Sequence, residues 1–136
     1  MQKKVAKWVK ACIGSDDADS RDERNQRFFE EACELVQSAG MTRYQAEQVL
    51  KYSFSRPAGI IQQEAAGVQL TLYALVNAWG ISLKQATRIE LARAWDQIDR
   101  IREKHKNKPR FDRCGCVNIG ACDGSCSPDG ACDAQN

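Results

Sequence analysis

The sequence predicts an all-α protein, a bundle of four or five helices followed by an irregular, cysteine-rich tail. Three observations support this class. Apolar residues recur at the three- and four-residue spacing of amphipathic helices, and three predicted helices begin with a Ser or Thr that stands three residues before Glu or Gln. No segment alternates apolar and polar residues as a half-buried strand does. We expect a helical domain at 1–109, with the short connections of a bundle, and a tail at 110–136.

The first predicted helix has apolar residues at positions i, i+3, i+4 and i+7, namely Val5, Trp8, Val9 and Cys12. Gly14 should end this helix, and the acidic stretch at 15–20 is predicted to be a loop. The second helix should begin at the capping pair Ser20 and Glu23. It is long and should be stopped by Gly40, a residue that readily ends helices.

A second capping pair, Thr42 and Gln45, predicts a short third helix with the sequence RYQAEQVLKYSF. Pro57 should break the chain after it, because the residue before proline disfavours helical geometry. The next long helix is predicted at 59–79 and is closed by Gly80.

The last helix is predicted at 83–106, opened by Ser82 with Gln85 and ended before Pro109. Its basic final turn has the sign that the helix dipole favours. The tail beyond it is rich in turn residues, and it holds five of the seven cysteines: Cys114, Cys116, Cys122, Cys126 and Cys132.

The composition excludes several classes of protein. The net charge of +2 is too balanced to favour nucleic acid or an anionic membrane as the main partner. No run approaches the ~18 apolar residues that cross a bilayer. The N-terminal stretch is not a signal peptide, because lysines interrupt its apolar residues. The odd number of cysteines argues against a secreted disulfide framework. We expect a soluble, cytoplasmic protein in which Cys12 and Cys33 are core thiols.

Three glutamates of the second helix, Glu30, Glu31 and Glu34, stand among apolar residues. Taken alone they resemble a solvated acidic stripe, which is common on helices. Glu64 favours a different interpretation, because it falls at the edge of the apolar face of the fourth helix. A carboxylate on a buried face is costly unless it is protonated, paired or bound to metal.

A buried Glu–Arg pair is one explanation for Glu64, and a metal site is the other. Glu31 and Glu34 lie three residues apart on one helical face, so both can bind one cation. Glu64 can approach from a neighbouring helix. Sites made of carboxylate oxygens suit Mg²⁺ or Mn²⁺, and bundles commonly build metal sites from facing helices.

The stretch EEACEL, followed by Glu64 one long helix later, resembles the EExxE…ExxD pattern of the MazG-like all-α NTP pyrophosphohydrolases, relatives of the dimeric dUTPases. The resemblance covers about 8–109 and is nearest to phage members. It implies a homodimer or homotetramer that cleaves a nucleoside triphosphate to the monophosphate and pyrophosphate, with two or three Mg²⁺ or Mn²⁺ ions per site. Some phage members are dGTP diphosphatases that supply 2-aminoadenine synthesis. A phage member would act in the host cytoplasm.

The resemblance also assigns roles by position. Glu31, Glu34 and Glu64 would be metal ligands, and Glu30 a ligand or the base that orients water. The family's aspartate three residues after the second-motif glutamate is replaced by Gly67. We expect the missing charge to come from one of two acidic residues of the last helix, Glu90 and Asp96.

Basic side chains should meet the outer phosphates, because charge-assisted hydrogen bonds are the strong ones. The candidates are Arg27, Lys51, Arg56, Arg93 and Lys104, each of which is otherwise an ordinary surface charge. Stacking or edge recognition of the base is assigned to Trp8, Asn25 and Phe28, although the two aromatics could equally be core residues. The five tail cysteines could form a zinc site, but they lack the usual C-x2-C spacing.

Three classes of function therefore stay open. The first is the pyrophosphohydrolase, acting on dGTP or, with relaxed specificity, on many dNTPs. The second is a helical module that binds nucleotide or metal without turnover, which the loss of an aspartate at Gly67 would permit. The third is a structural adaptor, which a carboxylate such as Glu64 on a buried face would argue against.

Overall fold

The computed structural model describes residues 1–109 and 111, and these contain six helices and no strand. The all-α class is thus confirmed for this part of the chain. The predictions for the cysteine-rich tail fall outside the described residues. The helices are α1 (Gln2–Asp19), α2 (Arg21–Ser38), α3 (Arg43–Phe54), α4 (Ile61–Ala78), α5 (Leu83–Asp96) and α6 (Ile98–Lys106).

The three capping signals mark real helix starts. The Ser20 hydroxyl accepts from the Glu23 amide at 3.3 Å, and the Ser82 hydroxyl accepts from the Gln85 amide at 3.4 Å. At Thr42 the capping box is complete in both directions. These contacts satisfy amides that have no partner within their own helix, which is why the predicted starts are correct.

Gly14 ends the first helical segment of α1, as predicted, and a second helical segment follows it directly. Its φ of 84° and ψ of 171° lie where essentially only glycine is found. Residues 15–19 resume helical geometry, so the prediction of an acidic loop there was wrong. The break leaves the last carbonyls of the preceding segment, at Ala11 and Cys12, without partners inside the helix.

Arg102 of α6 fills this gap. Its Nη2 donates to the Ala11 carbonyl at 2.7 Å and its Nε donates to the Cys12 carbonyl at 3.1 Å. The same guanidinium pairs with Asp99 at 2.6 Å, which holds it in place. One side chain therefore caps the first segment of α1 and joins α6 to it.

The predicted single helix at 83–106 is divided into α5 and α6 at Gln97. The amide of Gln97 bonds back to the Arg93 carbonyl, and Asp99 then lies in the first turn of α6, where the dipole favours an acid. The bend lets α6 pack against α1 as well as against α5. Helical periodicity did not reveal the division because both pieces are good helices.

The core is small, and the packing between helices is most extensive where α1 meets α2 and α6. The buried apolar side chains in the described chain are Cys12, Val76 and Ala94, at 4%, 6% and 6% exposure. Burial raises the pKa of the Cys12 thiol, as expected for a core cysteine. Cys33 is exposed, so its assignment to the core was wrong for the single chain. Neither α3 nor α4 packs extensively against another described helix.

Within residues 1–109, no single helix has both the length and the apolar composition to cross a bilayer. The pair α4 and α5 meets those criteria only when the two helices are added together across a bend of 100°. Such a pair is weak evidence, because the core helices of other proteins meet the same criteria.

Replacement of Arg102 by alanine should destabilise the protein by about 2 kcal/mol, because two carbonyls lose charge-assisted donors. Urea denaturation followed by circular dichroism measures this loss. Arg100→Ala is the matched control on the same helix, since Arg100 is exposed, and should change stability by less than about 0.5 kcal/mol. Equal midpoints for the two variants would contradict the role given to Arg102.

Candidate functional site

Most acidic side chains of the described residues have a basic partner, but the three glutamates assigned as metal ligands from the two motifs do not. Glu31, Glu34 and Glu64 make no side-chain hydrogen bond or ion pair with any residue that the structure describes. By contrast, Glu47 pairs with Arg43 at 2.7 Å. The unpaired carboxylates are thus free to bind a cation from outside the chain.

Glu31 and Glu34 lie one turn apart on α2, and both are exposed to solvent. This is the spacing at which two carboxylates can bind one hard cation from the same side. Their neighbour Glu30 is engaged differently, because Arg27 Nη1 donates to its Oε2 at 2.6 Å. The geometry therefore separates Glu30 from the pair that follows it.

Glu64 lies in the first turn of α4, where a negative charge is favoured by the helix dipole. It is exposed, so the expectation that it lies on a buried face was wrong for the single chain. Its carboxylate folds back over Gly59: a Cβ at that position would lie only 2.1 Å from Oε1. Any larger residue at 59 would have to move this carboxylate.

The single chain does not bring these groups together. No group of three or more His, Cys, Asp or Glu side chains in the described residues is arranged to hold a metal ion. The physical reason is that α4, which carries Glu64, does not pack extensively against α2. The two carboxylates on α2 and the one on α4 therefore share no common centre within one chain.

The two residues expected to replace the missing aspartate have different environments. Glu90 accepts from Arg93 Nε at 2.8 Å, and this hydrogen bond holds the pKa of Glu90 below its usual range. Its charge is therefore already compensated. Asp96 is exposed at the end of α5 and has no side-chain partner among the described residues. Around Gly67 itself there is open space, since nothing lies within 4 Å of an added Cβ.

The cations predicted to meet phosphate also divide into two groups. Lys51 and Lys104 are exposed, and Arg56 stacks over the Tyr52 ring with 5.6 Å to the centroid. Arg27 and Arg93 are already held in ion pairs, with Glu23 and Glu90 among their partners. The first group is the freer to bind a ligand.

The side chains assigned to the base are also spread apart. Trp8 is half-buried, and its indole N–H is buried with no hydrogen-bond partner in the described part of the chain. Asn25 is exposed on α2. Phe28 is 56% exposed, so in the single chain it is not a core residue.

Sequence reasoning missed a polar cluster around the buried carboxylate of Glu23. Its Oε1 lies 3.2 Å from Arg27 Nε, 3.6 Å from Arg24 Nη2 and 3.7 Å from His105 Nδ1. The other ring nitrogen of His105 lies 3.0 Å from Asp17 Oδ2. The cluster joins α1, α2 and α6. The four-residue spacing of Glu23 and Arg27 was a signal for one part of it, but His105 is distant in sequence.

Comparisons with protein-family models, with curated proteins and with solved structures found no match to this chain.

Proposed function

We propose that this protein is a metal-dependent nucleoside triphosphate pyrophosphohydrolase that releases pyrophosphate and a nucleoside monophosphate. The observation that carries the proposal is that Glu31, Glu34 and Glu64 have no ion-pair partner among residues 1–109, whereas the other glutamates there are paired. Unpaired acidic side chains on two helices are a donor set that Mg²⁺ or Mn²⁺ fits. The resemblance of the EEACEL segment to MazG-like enzymes supports the same chemistry.

The chain's own residues would divide the work as follows. Glu31 and Glu34 hold one side of the metal centre, and Glu64 holds the other. Glu30 orients the attacking water, and Arg27, which donates to it, fixes its position. A divalent metal held by these carboxylates would activate a water for attack and would neutralise charge on the phosphates. The resemblance makes dGTP the first substrate to test. In the cell, the enzyme would act on the nucleotide pool of the cytoplasm.

The site requires a second copy of the chain in this proposal, and the surface of α4 supports that requirement. Between Ile61 and Ala78 the only charged residue is Glu64. The apolar side chains of such a helix are normally buried against another element. Here the α4 surface is exposed; we define it as the side chains of Ile60, Ile61, Val68, Leu70, Tyr73 and Trp79.

The size of the α4 surface is consistent with an interface to a second copy of this chain. Six large apolar side chains, each exposed by 42% to 78%, present on the order of 600 Å². Their sum approaches the ~800 Å² that each subunit buries in a stable interface. A second copy brings its own α2, and hence its own Glu31 and Glu34, which is what Glu64 lacks within one chain.

A module that binds nucleotide without turnover is the second candidate. The presence of Gly67 in place of the family's aspartate favours it. The site has one carboxylate fewer than the family pattern, and Glu90 is held by Arg93. The two candidates differ in a single assay. The hydrolase converts a dNTP to pyrophosphate with Mg²⁺ or Mn²⁺, whereas the module binds it and releases nothing.

Replacement of Glu34 or Glu64 by glutamine should lower pyrophosphate release by about 100-fold or more, because each change removes a ligand charge while keeping the side-chain shape. The measurement is pyrophosphate against orthophosphate with the four dNTPs. Glu47→Gln is the control, since Glu47 is an exposed carboxylate paired with Arg43, and it should keep the wild-type rate. Full activity in both ligand variants would refute the metal site.

Gly67→Asp should increase the affinity for Mg²⁺ by about tenfold, because it adds a carboxylate one turn after Glu64 in open space. Titration of the metal dependence of pyrophosphate release measures the change. Gly67→Asn has the same size without the charge and should leave the metal affinity near that of the wild type. If the two variants behave alike, Glu64 does not bind the metal.

Leu70→Glu should convert the assembled protein to monomers, because it places a charge in the α4 surface at a side chain that is 70% exposed in one chain. Light scattering on a sizing column gives the mass, and circular dichroism checks that the helices persist. Tyr44→Glu, at a residue 71% exposed on α3, is the matched control and should keep the wild-type mass. A monomeric wild-type protein would overturn the association.

A further inference from the structure

A groove between the first turns of α1 and the middle of α5 has the chemistry of an anion site. It has a volume of about 380 Å³, within the ~300–1,000 Å³ of small-molecule sites. Lys4 and Lys7 line it from α1, and Arg88 lines it from α5. It continues along α5 into a second depression that shares Arg88 and adds Lys84.

The charge of this groove is not compensated within the described chain. The described residues that line it include no aspartate or glutamate. Lys4, Lys7 and Arg88 make no side-chain ion pair with any described residue. Elsewhere the chain does pair its cations: Lys10, on the same helix, contacts Asp19 at 2.8 Å. Converging cations repel one another, so an anionic ligand would lower the electrostatic energy of the groove.

The position of the lysines on α1 increases this imbalance. Lys4 lies in the first turn, where the helix dipole favours a negative charge, and that turn holds no acidic residue. The first turn of α5, which carries Lys84, also holds none. Natural sequences usually satisfy such local preferences, and departures from them are expected at functional positions.

The floor of the groove is apolar and includes a flat ring. Leu91, Ala92 and Trp95 line it from α5, and 38% of Trp95 is exposed. Nucleobases stack on aromatic side chains of this kind whatever their identity, because every base has a π-face. Cations beside an exposed indole therefore suit a ligand that carries both phosphates and a base.

We propose that the groove between α1 and α5 binds a nucleoside triphosphate, with its phosphates on Lys4, Lys7 and Arg88 and its base on Trp95. The site shares no residue with the carboxylates Glu31, Glu34 and Glu64. Binding there needs neither metal nor hydrolysis, so the proposal stands whether or not the protein is a pyrophosphohydrolase. The polyphosphate supplies most of the attraction, and the base adds the stacking contact.

The test is calorimetric titration of the full-length protein, in EDTA, with inorganic tripolyphosphate and with a non-hydrolysable dGTP analogue. Both should bind, the analogue more tightly and with a change in tryptophan fluorescence. A double variant, Lys7→Gln with Arg88→Gln, should bind both ligands at least about tenfold more weakly, because charge-assisted hydrogen bonds are lost. Trp95→Phe should remove most of the fluorescence change while keeping the affinity for tripolyphosphate.

The matched control is the double variant Lys3→Gln with Arg100→Gln, which removes the same charge outside the groove. It should bind within about twofold of the wild type at physiological salt, where exposed charges are screened. The EDTA in the titration removes any metal-dependent binding at the proposed metal centre, which separates that centre from this site. Equal weakening in both double variants would overturn the proposal. So would tighter binding of a short DNA duplex than of the analogue.

Discussion

The packing of α1 against α2 and α6 is the interaction on which the rest of the described structure depends. Gly14 breaks α1 and exposes two carbonyls, and Arg102 of α6 donates to both. Glu23 of α2 lies near His105 of α6, and Asp17 contacts the other nitrogen of that ring. Polar contacts between helices therefore hold this centre, with the small Cys12 side chain buried beside them. Such contacts are directional, so they fix how the three helices meet.

Two helices outside this centre, α3 and α4, pack little against the other described helices. The single chain leaves most of the apolar surface of α4 exposed, although α4 carries only one charged residue. A chain of this length gains only a modest core from its own residues, so association with a second copy is an effective way to bury more. The same association would bring carboxylates of different helices together. Burial of the α4 surface and formation of the proposed metal site would thus both require a second copy of the chain.

The charged side chains of the described residues fall into two groups, those that form local ion pairs and those that do not. Many acidic and basic side chains form local pairs three or four residues apart, such as Glu90 with Arg93. These pairs contribute little stability at the surface, but they remove charge that would compete for a ligand. Among the described residues, the glutamates Glu31, Glu34 and Glu64 and the bases between α1 and α5 form no such pair, which leaves them able to bind ligands. They would bind ligands of opposite sign, a divalent cation and a polyphosphate.

The sequence by itself determined the class of fold and where three of the six described helices, α2, α3 and α5, begin. Capping depends on residues three positions apart, as at Thr42 and Gln45, and positive-φ glycines such as Gly40 end helices locally. The spacing of Glu31 and Glu34 is local in the same sense. Only the tertiary structure decided the bend at Gln97, the exposure of Glu64 and Cys33, and the groove that Arg88 shares with Lys4. Each of these depends on contacts between helices far apart in the chain, and periodicity within one helix carries no information about its neighbours.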